Sequence, residues 1–126
     1  MNFFEAIKSC FVRYTEFSSR SIRAEYWNFG LFIIIVGFIV DYIDALNAGI
    51  PWLDYEKWYG PLGIIWLLLT IVPSFAVGVR RLHDINKSGW WVLLAFTIIG
   101  LIPLIYWACL KGDEGDNRFG SNPLKY

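Results

Sequence analysis

Apolar residues in this chain gather into three long blocks, and the charges collect between them. No residue is charged from Tyr26 to Val40, from Pro61 to Val79, or from Ser88 to Leu110. The 15 residues of the first block rise only about 22 Å as a helix. That falls short of a hydrocarbon core of about 30 Å. The helix is therefore expected to run on to about Leu46, taking in Asp41 and Asp44 at the far interface, where water or headgroups solvate them. In the second block Pro61 suits a first helical turn. Pro73 lies inside and predicts a kink, and the helix is expected to continue to about His83. The third block has 23 uncharged residues, with Ser88 as its N-cap and Gly100 and Pro103 near its centre.

The flanking segments read differently. Over residues 2–17, Phe3, Phe4, Ile7, Phe11, Tyr14 and Phe17 recur with helical period, while Asn2, Glu5, Lys8, Ser9, Arg13 and Glu16 fall elsewhere. This predicts an amphipathic helix on the membrane surface or against the bundle, too charged to span. Glu5 and Lys8 interrupt the stretch where a cleaved signal would need an apolar run. Serines in 18–21 are candidates to cap the next helix. Asn47, Gly49 and Pro51 break the first span. Trp52, Tyr55, Trp58 and Tyr59 then suit an interfacial aromatic belt. Residues 111–126, rich in Gly and charge, predict an irregular tail.

The fold class expected is thus an all-α membrane protein. Three transmembrane helices (26–46, 61–79 and 88–110) follow an N-terminal amphipathic interfacial helix, in a single membrane domain covering 1–126. Composition agrees: 56% of residues are hydrophobic and 17% charged. The net charge of zero gives no pointer to nucleic acid. Cys10 and Cys109 have no close-spaced partner and form no zinc or redox motif. The tail carboxylates do not match a calcium loop. Neither metal nor cofactor is expected.

Basic residues set the orientation. Lys8, Arg13, Arg20 and Arg23 precede the first span, Lys57 alone lies in the first connector, and Arg80, Arg81 and Lys87 lie in the second. The N-terminus and residues 80–89 are therefore expected in the cytoplasm. Three spans export the tail. A hairpin at Gly100 and Pro103 would instead return it, and every basic residue but Lys57 would then lie inside.

Arg80-Arg81-Leu82-His83-Asp84, followed by Ser88-Gly89-Trp90-Trp91, resembles the signature of the domain of unknown function 805 family. Arg20-Ser21-Ile22-Arg23-Ala24-Glu25-Tyr26-Trp27 is similar to that family's basic approach to its first span, and Asn117-Arg118-Phe119-Gly120 with Pro123 to its tail. Ser19 departs from the glycine common there. The resemblance implies a small bacterial inner-membrane protein, and it brings no catalytic residues with it.

Two uses suit the charged residues. Arg23, Glu25, His83, Asp84, Asn117 and Arg118 suit a structural polar network at the helix ends, with Glu25 and Asp84 pairing to Arg23, Arg80 or Arg81. Arg80, Arg81, Lys87, Ser88, Trp90 and Trp91 suit contact with an anionic lipid or a phosphate. Catalysis through His83 and Asp84 is not expected. Adjacent helical residues point about 100° apart, and there is no nucleophile motif or nucleotide loop. The function expected is structural or accessory, with anionic lipid, a second copy or another membrane protein as partner. The alternative is a subunit of an oligomeric transporter or channel lined by Thr70, Ser74 or Thr97.

Overall fold

The computed structural model describes residues 1–51 and 60–123. The aromatic cluster at 52–59 lies outside the described residues. The described residues form four α-helices and one 3-10 helix: α1 (Phe3–Val12), α2 (Arg23–Ala48), α3 (Pro61–Asp84), the 3-10 helix Gly89–Phe96 and α4 (Leu101–Cys109). Among the described residues, α2 and α3 are the two helices long and apolar enough to cross a membrane.

α2 and α3 form an antiparallel pair, which is tied at both ends. At one end the Ser21 amide donates to the Arg80 carbonyl over 3.0 Å. At the other the Asp44 carboxylate accepts from the amides of Leu62 (3.2 Å) and Gly63 (2.8 Å). Midway the Trp66 indole donates to the Ile33 carbonyl. α2 stops at Gly49, whose φ of 68° is left-handed, and the Ile50 amide turns back to the Ala45 carbonyl, a common helix stop. Asp44 is therefore not solvated at the interface, as its place in the sequence suggested. It is buried and caps α3 from the neighbouring helix. Its approach is close enough that any side chain at residue 60 would overlap it.

Pro61 opens α3 and Pro73 lies within it. Proline has no amide to give the carbonyl four residues back, which here belongs to Leu69. The Tyr14 hydroxyl donates to that carbonyl over 2.7 Å. The carbonyl that the proline leaves without a helical donor is thus satisfied by the segment after α1.

α1 is shorter than the expected 2–17, ending at Val12. Asn2 and Glu5 form a reciprocal capping box at its start. It meets the bundle through small residues, with Ala6 and Cys10 fully buried, and leaves Phe4 and Val12 exposed. Phe3 and Phe11 sit edge-on to Phe32, and Phe11 also to Phe29. Small side chains win the contact because they let α1 approach α2 closely.

The block 88–110, expected as one spanning helix, is broken. Ser88 caps the 3-10 helix by accepting from the Trp90 amide. The chain then turns at Thr97–Gly100 before α4 begins. Pro103 explains the break. In a helix running through from 88 it would remove a hydrogen bond and clash with the preceding turn. With α4 starting at Leu101, its missing amide falls in the first turn, where amides have no helical partner anyway. The turn satisfies itself: the Thr97 hydroxyl donates to the Leu94 carbonyl and accepts from the Gly100 amide, each over 3.0 Å. The nine residues of α4 rise about 13 Å, less than half a hydrocarbon core.

Both ends of this broken block lie at the same end of the bundle. Trp91 packs edge-on against Trp107, 5.7 Å between ring centres. The Trp27 indole donates to the Ala108 carbonyl, and Arg23 to that of Cys109. Its outer face is strongly apolar and open, with Ile98, Ile99 and Ile102 each more than 70% exposed. A patch of this kind calls for lipid or a protein partner.

Candidate functional site

Helix ends place charge where the apolar blocks stop. At the near end of the bundle, the last turn of α3 meets the first turn of α2, the segment after α1 and the tail. Arg80 to Asp84 are helical there, not a loop, and all five residues are buried. Charge at that depth requires partners, and two carboxylates supply them.

Glu25, 1% exposed, is the first. Arg13 Nη2 approaches both its oxygens at 2.7 and 2.6 Å, and Arg80 Nη2 donates to Oε1 over 2.9 Å. The hydroxyls of Ser9 and Ser21 donate to it as well. Arg80 spends its remaining donors on the Ser21 hydroxyl and on the carbonyls of Arg13 and Glu16. Ser21, expected as a helix cap, thus serves as a bridge between an arginine and a glutamate. The N-cap position belongs to Ile22, which has no side-chain acceptor.

Asp84 is the second. Arg20 Nε reaches its Oδ1 over 3.0 Å, and Arg81 Nη1 its Oδ2 over 2.7 Å. Arg20 then clamps the tail: Nη1 donates to the carbonyls of Gly115 and Gly120, and Nη2 to that of Asp113. Arg81 reaches the carbonyls of Ala108 and Leu110 at the end of α4. The Asp113 amide returns to the Asp84 carbonyl over 2.8 Å. Gly112 allows this approach, since a Cβ there would overlap the Asp84 carboxylate. Four arginines face two buried carboxylates, so this core carries two excess positive charges before the half-buried Glu16 beside Arg13 is counted.

His83 points away from Asp84. Its Nδ1 lies 3.0 Å from the Ser19 carbonyl, and its ring stacks flat on Phe119, 3.8 Å between centres and 4° from parallel. Asn117 donates to the His83 carbonyl over 2.9 Å, within a tight 117–120 turn closed by paired backbone bonds. The Arg118 guanidinium lies over the Phe119 ring at 4.7 Å and donates to the Asn86 carbonyl. The tail is irregular, as its composition suggests, yet it is fastened along most of its described length.

The candidate residues therefore divide. Glu25, Asp84, Arg80 and Arg81 share one buried network, and His83 and Asn117 join it through the tail. Arg23 stands apart at the end of α4. Lys87 lies 4.9 Å above the Trp107 ring, while Trp90 and Trp91 are exposed. Thr70, Ser74 and Thr97 do not converge. Thr70 bonds to its own helix at Trp66, Thr97 holds the turn, and Ser74 lines a cavity of about 230 Å³ between α3 and the broken block. The sequence reading left out Arg13, Arg20 and Ser21 as site residues. Arg13 sits four residues after Ser9 on the polar side of α1, and Arg20 and Ser21 open a quoted motif, so the signal was present.

Burial pushes the Cys10 thiol, which lies beside Glu25, up to about 12, with the neighbouring carboxylate adding to the effect.

No solved structure matches the chain. It is 39% identical over 112 residues to Inner membrane protein YhaI of Escherichia coli (strain K12), covering 87% of each. It is 38% identical over 111 residues to Inner membrane protein YhaH of the same organism, covering 87% of this chain and 88% of that protein. The family described as Protein of unknown function (DUF805) matches residues 14–121, and the chain belongs to it.

Proposed function

We propose that the chain is a multi-pass protein of the bacterial inner membrane, with its N-terminus, residues 80–89 and its tail all in the cytoplasm. In this reading α2 and α3 span, α1 lies along the inner surface, and 88–110 enters and leaves on the cytoplasmic side. The work is structural or accessory. A braced polar platform holds the helix ends together and presents a net-positive, aromatic rim to anionic lipid.

One observation carries the topology: the tail is bonded to the same helix end that precedes the broken block. Asp113, Gly115, Asn117 and Gly120 all bond to Arg20, His83 or Asp84. Segments fastened to one another in this way belong on one side of a membrane. Irregular backbone within a bilayer is tolerated where its polar groups are satisfied, and Thr97 does that at the turn. Basic residues agree, since Lys57 alone would lie outside. The excess positive charge of the buried core, with Lys87 and Arg118 at its edge, favours anionic headgroups by about 1 kcal/mol per charge near the surface.

The test is a cysteine at residue 121 (Ser121→Cys) in a Cys109→Ser background, where the remaining Cys10 is fully buried. An impermeant maleimide is expected to label it in inverted membrane vesicles and not in intact cells. Labelling from the outer face would overturn the proposal.

A further inference from the structure

Behind the His83–Phe119 stack lies an open cavity of about 410 Å³, bounded by α3, the start of the 3-10 helix and the tail. Phe17, Val79, Trp90, Val92 and Leu93 give it apolar walls, and Ser88 and His83 are its polar points. We infer that this cavity binds the headgroup and glycerol region of an anionic phospholipid whose headgroup carries hydroxyls, such as phosphatidylglycerol, with His83 Nε2 accepting a headgroup hydroxyl. The inference rests on the proposed cytoplasmic placement and deepens it by assigning a site.

His83 supplies the recognition. It is 6% exposed. A carbonyl can only accept, so the contact with Ser19 fixes the hydrogen on Nδ1. In the neutral ring Nε2 is then a bare acceptor, and among the described residues no group donates to it. It faces the cavity at Gly89, where an added methyl would lie 3.4 Å away. A buried acceptor left without a donor costs free energy, so a ligand that brings a hydroxyl gains affinity.

Charge and shape narrow the class. A choline headgroup has no donor for Nε2. An ethanolamine ammonium has one, but it would enter against Phe119, whose ring carries the Arg118 guanidinium, beside a core in which four arginines face Glu25, Asp84 and Glu16. A glycerol headgroup on a phosphate meets both demands, with a hydroxyl for Nε2 and a negative charge for Arg118, whose guanidinium lies over the Phe119 ring that lines the cavity. The apolar walls suit the glycerol ester region and the first methylenes of a lipid, and not a free sugar phosphate. Trp90, 79% exposed, and Phe17 line the cavity, and aromatic side chains suit a membrane interface.

The experiment is native mass spectrometry of the full chain in mild detergent, titrated with phosphatidylglycerol or phosphatidylcholine. Wild type is expected to retain phosphatidylglycerol preferentially. His83→Asn places an amide donor against Ser19 but offers nothing at Nε2, and is expected to lower that preference about fivefold, as for one hydrogen bond. Leu93→Trp fills the cavity from its exposed side, leaves the His83 contacts intact, and is expected to lower it at least as far. If wild type shows the preference and both variants keep it, the cavity is not the site, while the net-positive rim stands. If wild type shows none, both fall. If excess inorganic phosphate displaces the lipid as well as phosphatidylglycerol does, the site reads a free anion and the inference is overturned.

Discussion

The two ends of the α2–α3 pair each bury carboxylate, and they neutralise it by different means. At the near end Glu25 and Asp84 are held by four arginines. At the far end Asp44 is held by the Leu62 and Gly63 amides at the start of α3. A helix N-terminus presents unpaired amides and a partial positive charge, so Asp44 needs no cation. The near end also has a helix N-terminus, that of α2, but its N-cap Ile22 has no side-chain cap bond, and the bonds to Glu25 and Asp84 come from side chains. There α3 finishes, and its C-terminal carbonyls favour positive charge. The arginines answer both the carboxylates and the carbonyls of Arg13, Glu16, Ala108 and Asp113. The ends differ in what packing brings to each carboxylate: arginine side chains at one, the amides that open α3 at the other. The skew of basic residues is the ground for the proposed orientation.

The comparison breaks first at Glu25. Glu25→Gln leaves Arg13 and Arg80 facing a neutral amide, and stranding a buried charge costs about 3–5 kcal/mol. Thermal or denaturant unfolding in mild detergent reads this directly. Pairing the change with Arg80→Met is expected to cost less than the two single changes together, because the second removes the charge stranded by the first. If Glu25→Gln costs no more than a lost helix cap, the near end is not braced by charge.

The two helices long and apolar enough to cross a membrane were legible as long uncharged blocks. The charges of the basic–aromatic motif were legible as needing partners, but the partners themselves were not. A contact such as Arg20 to Asp84 joins residues far apart in the chain, and no local spacing announces it. Asp44 was misplaced for a related reason: a carboxylate near a helix end looks solvated until the next helix brings its amides alongside. The block 88–110 shows the limit of counting apolar residues. Length sufficed for a span, while Gly100 and Pro103 carried the contrary signal, and in the fold proline geometry prevailed. The small residues Ala6 and Cys10 won the α1 interface over the phenylalanines, a preference that hydrophobic period alone does not reveal.

At the far end the expected loss is smaller. Asp44→Ala removes the cap of α3 without stranding a charge, so about 0.5–2 kcal/mol should be lost. Asp44→Asn, which keeps one acceptor oxygen, should recover part of it. Unfolding in the same detergent, at low and high salt, sharpens the contrast. Asp44→Ala should cost nearly the same at both, since its partners are backbone amides. A loss as large as that of Glu25→Gln would mean the far end shares the near end's dependence on charge.

The smallest effect is confined to one thiol. Cys10 is fully buried against Glu25, and its pKa is pushed from an ordinary 9.0 up to about 12, first by burial and then by that carboxylate. Three pH units mean about a thousandfold less thiolate than an exposed cysteine holds at the same pH. In a Cys109→Ser background the folded chain is therefore expected to resist maleimide at pH 8 and to react only on unfolding. An acid whose pKa is higher in the folded chain contributes fully below its unfolded value. The contribution of this thiol to stability should therefore hold up to about pH 9 and fall as the pH rises toward 12. Glu25→Gln withdraws the carboxylate's share of the shift, leaving burial alone to hold the thiol protonated. Alkylation of Cys10 in that variant should thus begin at a lower pH than in the parent, provided the fold is retained. If the two begin together, Glu25 exerts no electrostatic hold on the segment that α1 brings to it.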